Sequence, residues 1–281
     1  MTEPQTESQI VELVEAATAR DRVAPLSEHA LLALKAGRTG VVVRENDTVV
    51  GYAHLDPATD DEPAAGELVV HPEHRRRGFG RRLLRELRRR ADGPLRVWAH
   101  GDLPAAARLA ESEGMKRSRV LFQMRRSADD PMVDVPPPAG VTLRAFEPGR
   151  DEEAWLEVNA RAFASHPEQG QWTLDDVRAR EAEEWFDPAG FFLAERDGRL
   201  VGFHWTKIHP DGLGEVYVVG VDPSAQGLGL GRALTLTGLH HLRDRGVPAI
   251  LLYVDEDNPS ALHLYETLGF ARYAVDVMYA S

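Results

Sequence analysis

The chain contains no cysteine. That excludes disulfides, thiolate metal sites and a cysteine nucleophile, and it fits a reducing compartment. Lysine is scarce: Lys35, Lys116 and Lys207 are the only three among 33 basic residues, a skew that carries no functional weight. No apolar run approaches the ~18–20 residues that span a bilayer. The opening MTEPQTESQIVELVEAA is polar and acidic and lacks a signal-peptide core. Excess basic charge is missing too. The formal net charge is -12, which argues against a dedicated nucleic-acid or membrane-surface binder. These absences lead us to expect a cytoplasmic monomer without nucleic-acid or membrane partners.

What is present is enough for packed cores: 281 residues, 43% of them hydrophobic, a length that suggests about two domains. The chain also repeats itself. Gly51, Pro72, Gly78, Gly80 and Arg81 recur as Gly202, Pro223, Gly229, Gly231 and Arg232, and further on Pro104 and Gly114 recur as Pro259 and Gly269. Between the copies, Ser127 to Gly140 is acidic, holds Pro131, Pro136, Pro137 and Pro138, and shows little periodicity. Such a segment is a semi-rigid spacer. The expected division is residues 1–128, a linker at 129–138, and 139–281.

The second copy reads as alternating elements. Val141–Phe146 is a strand candidate, and a helix carrying Trp155, Val158 and Phe163 follows from about Asp151. Thr173 and Asp176 have capping-box spacing. Two apolar runs, Gly190–Glu195 and Leu200–Lys207, flank Asp197-Gly198, a strong hairpin signal. Glu215–Val221 is a strand, Gly231–Arg243 a helix with Leu234, Leu236, Leu239 and Leu242 near helical spacing, Ala249–Val254 a strand, Ser260–Leu268 a helix and Ala271–Tyr279 a last strand. The first copy follows the same order from Thr39 but opens on a helix, about Ser8–Ala19, with no clear first strand. The expected fold class is α+β, or mixed α/β.

Between strand and helix in the second copy lies Val219-Gly220-Val221-Asp222-Pro223-Ser224-Ala225-Gln226-Gly227-Leu228-Gly229-Leu230-Gly231-Arg232. Glycines let the backbone approach a ligand, and the free N–H groups of a helix start bind pyrophosphate. No Gly-Lys-Ser/Thr follows, so this is not a Walker loop, and a hairpin precedes it where a dinucleotide fingerprint needs a βαβ unit. A tight structural turn is the plainer alternative for a bare glycine-rich segment.

Gln226-x-x-Gly229-x-Gly231 after a Val-rich strand and Asp-Pro resembles the acetyl-CoA signature of the GNAT acetyltransferase superfamily. Its partner follows as Asp257-Asn258-Pro259-Ser260-Ala261-x-x-x-Tyr265-x-x-x-Gly269-Phe270. The first copy carries Val70-His71-Pro72-Glu73-His74-Arg75-Arg76-Arg77-Gly78-Phe79-Gly80, again Arg-x-x-Gly-x-Gly. The resemblance implies two tandem GNAT acyl-CoA N-acyltransferase domains and acetyl-CoA as cosubstrate. It places the cofactor on Val219, Gly220, Val221, Gln226 to Arg232, Asn258 and Ser260. In the first copy the corresponding residues are Leu68, Val69, Val70, Arg75, Arg76, Arg77, Gly78, Phe79, Gly80 and Arg81. Gly227, Leu228 and Leu230 are included as backbone donors.

Three stretches narrow the likeness: Pro167-Glu168-Gln169-Gly170, Gly202 to Lys207, and Leu213 to Pro223. They resemble tandem GNAT enzymes that acetylate the cysteinyl amine of a cysteinyl-glucosaminyl-inositol pseudodisaccharide, and Val23-Ala24-Pro25-Leu26-Ser27-Glu28 is similar to the N-terminal region of those enzymes. Substrate contacts are implied at Glu28, Glu168, Lys207, Glu215 and Tyr253. Carboxylates suit ammonium and hydroxyl groups, and a lysine can donate to sugar oxygens. Solvated surface charge is the plainer reading of Glu28 and Glu168.

Acetyl transfer to an amine needs a base, an oxyanion donor and an acid for the departing thiolate. Glu215, opening the strand beside the cradle, is the candidate base. A backbone N–H near Val219, where the central strand is expected to part from its neighbour, is the oxyanion donor. Tyr265 is the candidate acid. In the first copy Ala110 stands opposite Tyr265 and Met115 opposite Phe270, so that copy is expected to bind acetyl-CoA or only support the fold. Its arginine-rich helix reads first as a solvated face, of which coenzyme phosphates claim a few residues. His204 and His209 flank a strand and read as core or surface histidines before catalytic ones. No His/Asp/Glu set has metal-site spacing, so no metal is expected. A GNAT enzyme with another amine acceptor, such as an aminoglycoside or a protein N-terminus, and a non-catalytic acetyl-CoA-binding regulator remain the alternatives.

Overall fold

The computed structural model describes residues 3–38, 40–59, 62–164 and 167–281, with residues 3, 4, 167 and 168 described by their backbone alone. Two compact units result: Met1–Phe122 with Asp255–Asp257 and Ala274–Ser281, and Gln123–Val254 with Asn258–Tyr273. This grouping differs from a linear division at residues 129–138, because the end of the chain packs into the first unit. No helix among the described residues is long and apolar enough to cross a membrane.

The first unit opens on helix α1 (Glu3–Asp21). Ile10, Leu13, Val14 and Ala17, at helical spacing, are buried and pack with Val49, Tyr52 and Val69 of the sheet. Helix α2 (Glu28–Lys35) follows, its N-terminus capped by Ser27, whose side chain accepts from Ala30 N. Strands β1 (Val41–Glu45) and β2 (Thr48–Asp56) form a hairpin through Asn46 and Asp47, both at positive φ, as a two-residue turn of this hand requires. β2 pairs antiparallel with β3 (Ala64–Val70), and β3 pairs parallel with β4 (Leu95–Ala99). Helix α3 (Phe79–Ala91) makes the crossover and buries Leu83, Leu84 and Leu87. Helix α4 (Pro104–Ser112) comes next, then the long strand β5 (Lys116–Ser127).

The second unit begins with β6 (Val141–Ala145), α5 (Glu152–Ala162), the single turn α6 (Pro167–Gly170) and α7 (Leu174–Glu181). The expected capping box is present: the Thr173 side chain accepts from Asp176 N while the Asp176 carboxylate accepts from Thr173 N. β7 (Phe191–Arg196) and β8 (Arg199–Ile208) turn through Asp197 and Gly198 at φ 51° and 73°. β9 (Gly214–Val221) pairs antiparallel with β8 and parallel with β10 (Ala249–Asp255). Helix α8 (Leu230–Asp244) crosses between them and buries Leu234, Leu236, Leu239 and Leu242, each worth roughly 1.5–3 kcal/mol on removal from water. Helix α9 (Pro259–Thr267) precedes β11 (Ala271–Ala280), whose end pairs antiparallel with β4 from Val277↔Ala99 to Ala280↔Arg96.

Candidate active site

The site of the second unit is made by a sheet that opens. β9 and β10 pair only at Gly214↔Ile250 and Glu215↔Leu251, so from Val216 onward that edge of β9 has lost its partner. On the other edge, the β8 register shifts between Trp205↔Val218 and Thr206↔Val216, leaving Tyr217 as an extra residue in β9. A bulge of this kind bends the strand and increases its twist. Asp222 N donates to Val201 O on the β8 side. Amides alternate along a strand, so those of Val221 and Val219 point into the opening. The donor nominated at Val219 therefore faces the parted edge.

Where β9 ends, Asp222 fixes the turn. Its Oδ1 accepts from Ser224 N and Oγ at 2.9 and 2.7 Å, and its Oδ2 accepts from Arg161 Nε at 2.6 Å. Burial would raise this carboxyl's pKa, but those bonds hold it below the usual range. Gln226 to Gly229 are exposed, and Gly229 caps α8 at φ 79° with no side-chain bond across the helix end. The first amides of a helix have no intrahelical acceptor, so Leu230, Gly231 and Arg232 present donors. A Cβ at Gly227 or Gly229 would meet only open space. The residues fit a diphosphate: a positive helix end, unblocked, beside a strand edge with inward amides. The Arg232 side chain is engaged elsewhere, donating to Thr267 Oγ1 at 3.0 Å.

Glu215 lies at the fork and is buried. Lys207 stands directly across the β8–β9 ladder, so both side chains share a face. The buried Lys207 ammonium lies 4.4 Å from the Trp185 ring centre and 5.2 Å from that of Tyr217. Beside it Arg180 donates to Tyr217 Oη at 2.7 Å and stacks over Trp172 at 3.8 Å. The nominated acid–cation pair therefore sits in an aromatic surround that the sequence reading missed. His209, read first as a core or surface histidine, instead meets this site: its Nε2 is 2.7 Å from Glu215 Oε2. The alternation Trp205, Lys207, His209 was the available signal. His204, by contrast, is a core histidine, fully buried, its Nδ1–H donating to Leu234 O at 2.8 Å. Burial lowers its pKa to about 4.

Tyr265 is buried on α9, edge-on to Phe270, and burial pushes its phenol up to about 12. Asn258 caps the same helix, its Oδ1 accepting from Ala261 N at 3.1 Å, and Ser260 is exposed in the first turn. Tyr253 is exposed on β10 beyond the point of parting, and its hydroxyl accepts from Gln123 Nε2 at 2.7 Å. The Glu168 side chain lies outside the described residues. Glu28 opens α2 in the first unit.

In the first unit, β3 and β4 also part, after Glu67↔Trp98. A cavity of about 610 Å³ fills the opening, and every first-copy cofactor residue expected from the sequence lines it except Arg77. Gly78 caps α3 at φ 86°, and Arg76 takes the positive φ that Gly227 takes in the second copy. Ala110 and Met115 line the cavity too, so no phenol reaches it from the Tyr265 position. The register sets Ala65 opposite Asp56 where the second unit sets Glu215 opposite Lys207, and the carboxylate at this fork is the buried Glu67, which accepts from Ser27 N at 2.6 Å and lies 3.8 Å from His100. Most of the arginines are spoken for: Arg75 pairs with Asp21, Arg77 with Glu45, Arg81 and Arg85 with Glu113, and Arg89 and Arg90 with Glu86. The structure also gathers one set that sequence spacing could not show. His29 and His54 Nε2 lie 2.9 and 3.0 Å from Asp56 Oδ1, which satisfies all three groups as hydrogen bonds.

Comparisons with known proteins agree with this geometry. The model of the acetyltransferase (GNAT) family matches residues 9–115 and 153–270. A mycothiol acetyltransferase of Thermomonospora curvata is 70% identical, covering 100% of this chain and 95% of the relative. Another, of Thermobispora bispora, is 56% identical, covering 98% and 96%. Among solved structures, a GCN5-related N-acetyltransferase from Sphaerobacter thermophilus superposes with a TM-score of 0.75 at 24% identity, covering 99% of this chain and 93% of that one. A tandem GNAT protein from the clavulanic acid biosynthesis pathway gives 0.74 at 23%, covering 99% and 95%; at such identities these two speak to the fold alone. Cradle, parted strands and sequence kinship converge, and the chain belongs to the GNAT acetyltransferase family.

Proposed function

We propose that this enzyme transfers the acetyl group of acetyl-CoA to the cysteinyl amine of cysteinyl-glucosaminyl-inositol, giving mycothiol, and that the second unit carries the chemistry. One observation carries the assignment of the chemistry: a buried acid, Glu215, faces a buried cation, Lys207, where β9 parts from β10 and beside a helix with unblocked first amides. The acceptor is taken from the relatives' name, supported by identity over the whole chain. The reading includes a small-molecule acceptor and a cytoplasmic monomer.

Bound acetyl-CoA supplies an activated acyl carbon and a thiolate leaving group. Residues 226–232 offer amides to its diphosphate. Glu215 takes a proton from the acceptor's ammonium, so that the amine presents a lone pair. The amide of Val219 donates to the carbonyl oxygen as negative charge builds there. Tyr265 donates its phenolic proton to the departing sulfur and is restored by the second proton, which the nitrogen loses as the amide forms. Lys207, Glu168, Glu28 and Tyr253 hold the acceptor's hydroxyl and ammonium groups. Leu68 to Val70 and the Arg75–Arg81 segment hold a second acetyl-CoA or serve the fold, without turnover.

The test is incubation with acetyl-CoA and cysteinyl-glucosaminyl-inositol, with mass detection of the N-acetyl product, beside an aminoglycoside and a peptide with a free N-terminus. Acetylation of the pseudodisaccharide alone supports the reading. Faster turnover of either other amine would replace the acceptor, and no turnover of any amine would favour a regulator.

A further inference from the structure

We propose that His209 is the proton outlet of the active site, taking from Glu215 the proton that Glu215 takes from the acceptor amine. The proposal rests on Glu215 acting as base.

Stoichiometry creates the need. An ammonium acceptor and a thioester give an amide, a thiol and one free proton, so each turnover must deliver one proton to solvent. Glu215 is a poor place to release it, since its side chain is 8% exposed while that of His209 is 30% exposed. His209 Nε2 and Glu215 Oε2 are 2.7 Å apart, within direct transfer distance. The ring is held by its backbone: His209 N donates to Leu213 O and His209 O accepts from Gly212 N, both at 2.8 Å, closing the β8–β9 turn. The imidazole is thus presented by a pinned hairpin, one edge on a buried carboxylate and part of the ring in water.

The steps balance. An acceptor N–H bond breaks and a Glu215 O–H bond forms. At rest Nε2–H donates to the ionised Glu215. Once Glu215 is protonated, exchange with water shifts the ring's proton from Nε2 to Nδ1. The Glu215 O–H bond then breaks as its proton moves to Nε2, giving imidazolium, and Nδ1 loses its proton to water, which restores the starting tautomer. Histidine suits the task because its ordinary pKa lies near neutrality. The charged groups around the pair are Lys207, across the ladder from Glu215, and Asp211 in the same turn, whose Oδ1 accepts from Leu213 N at 3.1 Å. Arg180 bonds to Tyr217, two residues along β9.

The experiment compares His209→Gln, His209→Ala and Glu215→Gln with the parent enzyme. It reads kcat and KM for each substrate across pH, thermal midpoints, and rescue by added imidazole. Glutamine can keep a hydrogen bond to Glu215 but cannot carry a proton. We expect both His209 variants to lose about tenfold or more in kcat with KM for acetyl-CoA within about twofold, the acid limb of the rate profile to move, and imidazole to restore His209→Ala. His209→Gln with parental kcat and pH profile would overturn the relay and leave a positioning hydrogen bond. Equal losses in both variants, untouched by imidazole and matched by a lowered thermal midpoint, would overturn it in favour of a structural role. A fully active Glu215→Gln would instead overturn the base assignment beneath it.

Discussion

Replacing Tyr265 with phenylalanine removes one oxygen and leaves the ring packed against Phe270, at 5.9 Å between centroids. The structure makes the cost separable. The side chain is 7% exposed, and its hydroxyl has no hydrogen-bond partner among the described residues. Losing it therefore breaks no bond within the described residues, and stability near pH 7 should stay within about 0.5 kcal/mol of the parent. The chemical cost is different in kind. With burial holding the phenol up to about 12, it remains protonated throughout the neutral range and can donate whenever thiolate forms. Removing a positioned general acid costs typically 10²–10⁴ in rate, or about 3–5 kcal/mol of barrier.

The assay is product mass detection at saturating acetyl-CoA, since the acceptor's own thiol confounds a thiol reagent. The expected result is a kcat reduced about 100-fold or more with KM for acetyl-CoA within about twofold. A kcat within about twofold of the parent would remove Tyr265 from the mechanism, and an increased KM with kcat intact would make it a binding residue. The raised pKa has a stability corollary. Relative to an unfolded tyrosine near 10, the phenol disfavours folding only when deprotonated, so its effect is nil below pH 10. On the order of 3 kcal/mol is lost as pH rises from 10 to about 12, and Tyr265→Phe should be less sensitive to alkali.

Gly229→Ala forces a side chain onto φ 79°, costing roughly 1–2 kcal/mol. It should raise KM for acetyl-CoA about tenfold by distorting the amides; an unchanged KM would place the diphosphate elsewhere. Gly78→Ala imposes the same strain at φ 86° in the first unit and should leave turnover within about twofold, whereas loss of all activity in a folded protein that still binds acetyl-CoA in its second unit would contradict a non-catalytic first unit. His204 should make the protein acid-sensitive. Its folded pKa of about 4 lies below the ordinary value of 6.5, so its contribution is whole above 6.5 and is lost, to the order of 3 kcal/mol, as pH falls to about 4. Urea titrations of His204→Gln at neutral and mildly acid pH should show a smaller acid loss than the parent; an equal loss would assign it to other groups.

Local chemistry was legible in the sequence where one segment carries its own instruction. Thr173 and Asp176 form their capping box, Asp197-Gly198 makes its turn, and the leucines of α8 are buried at their expected spacing. Segments whose partner lies far along the chain were not legible. Helix α2 is eight residues long, too short for periodicity to mark. Nothing in β11 itself announces that its end pairs with β4. The pair of His209 with Glu215 crosses a turn whose length alone decides whether the two side chains meet. In the first unit, Glu67 and Asp276 close on a buried His100, whose imidazole they raise to about 10 against the opposing pull of burial. Those three positions span most of the chain.

The difference between the copies lies in register, which a constant offset conceals. Gly51 and Val70 pair in the first unit as Gly202 and Val221 do in the second, and both positions keep the same sequence offset. Inside the strands the copies disagree: β9 carries the extra residue Tyr217, and the connection from Lys207 to Glu215 is one residue shorter than that from Asp56 to Ala65. The two changes cancel, so aligned sequences show neither. Their joint effect is to set Glu215 beside Lys207 at the fork of the second unit and Ala65 beside Asp56 two residues before the fork of the first, where Glu67 stands. Because the side-chain period of a strand is two, a one-residue slip would turn every side chain to the opposite face. Ala64→Glu, the substitution the offset suggests, would therefore point its carboxylate to the face opposite the one Glu215 occupies. The ladder places Ala65, not Ala64, in the register position of Glu215, and the carboxylate at the parting of β3 and β4 is Glu67.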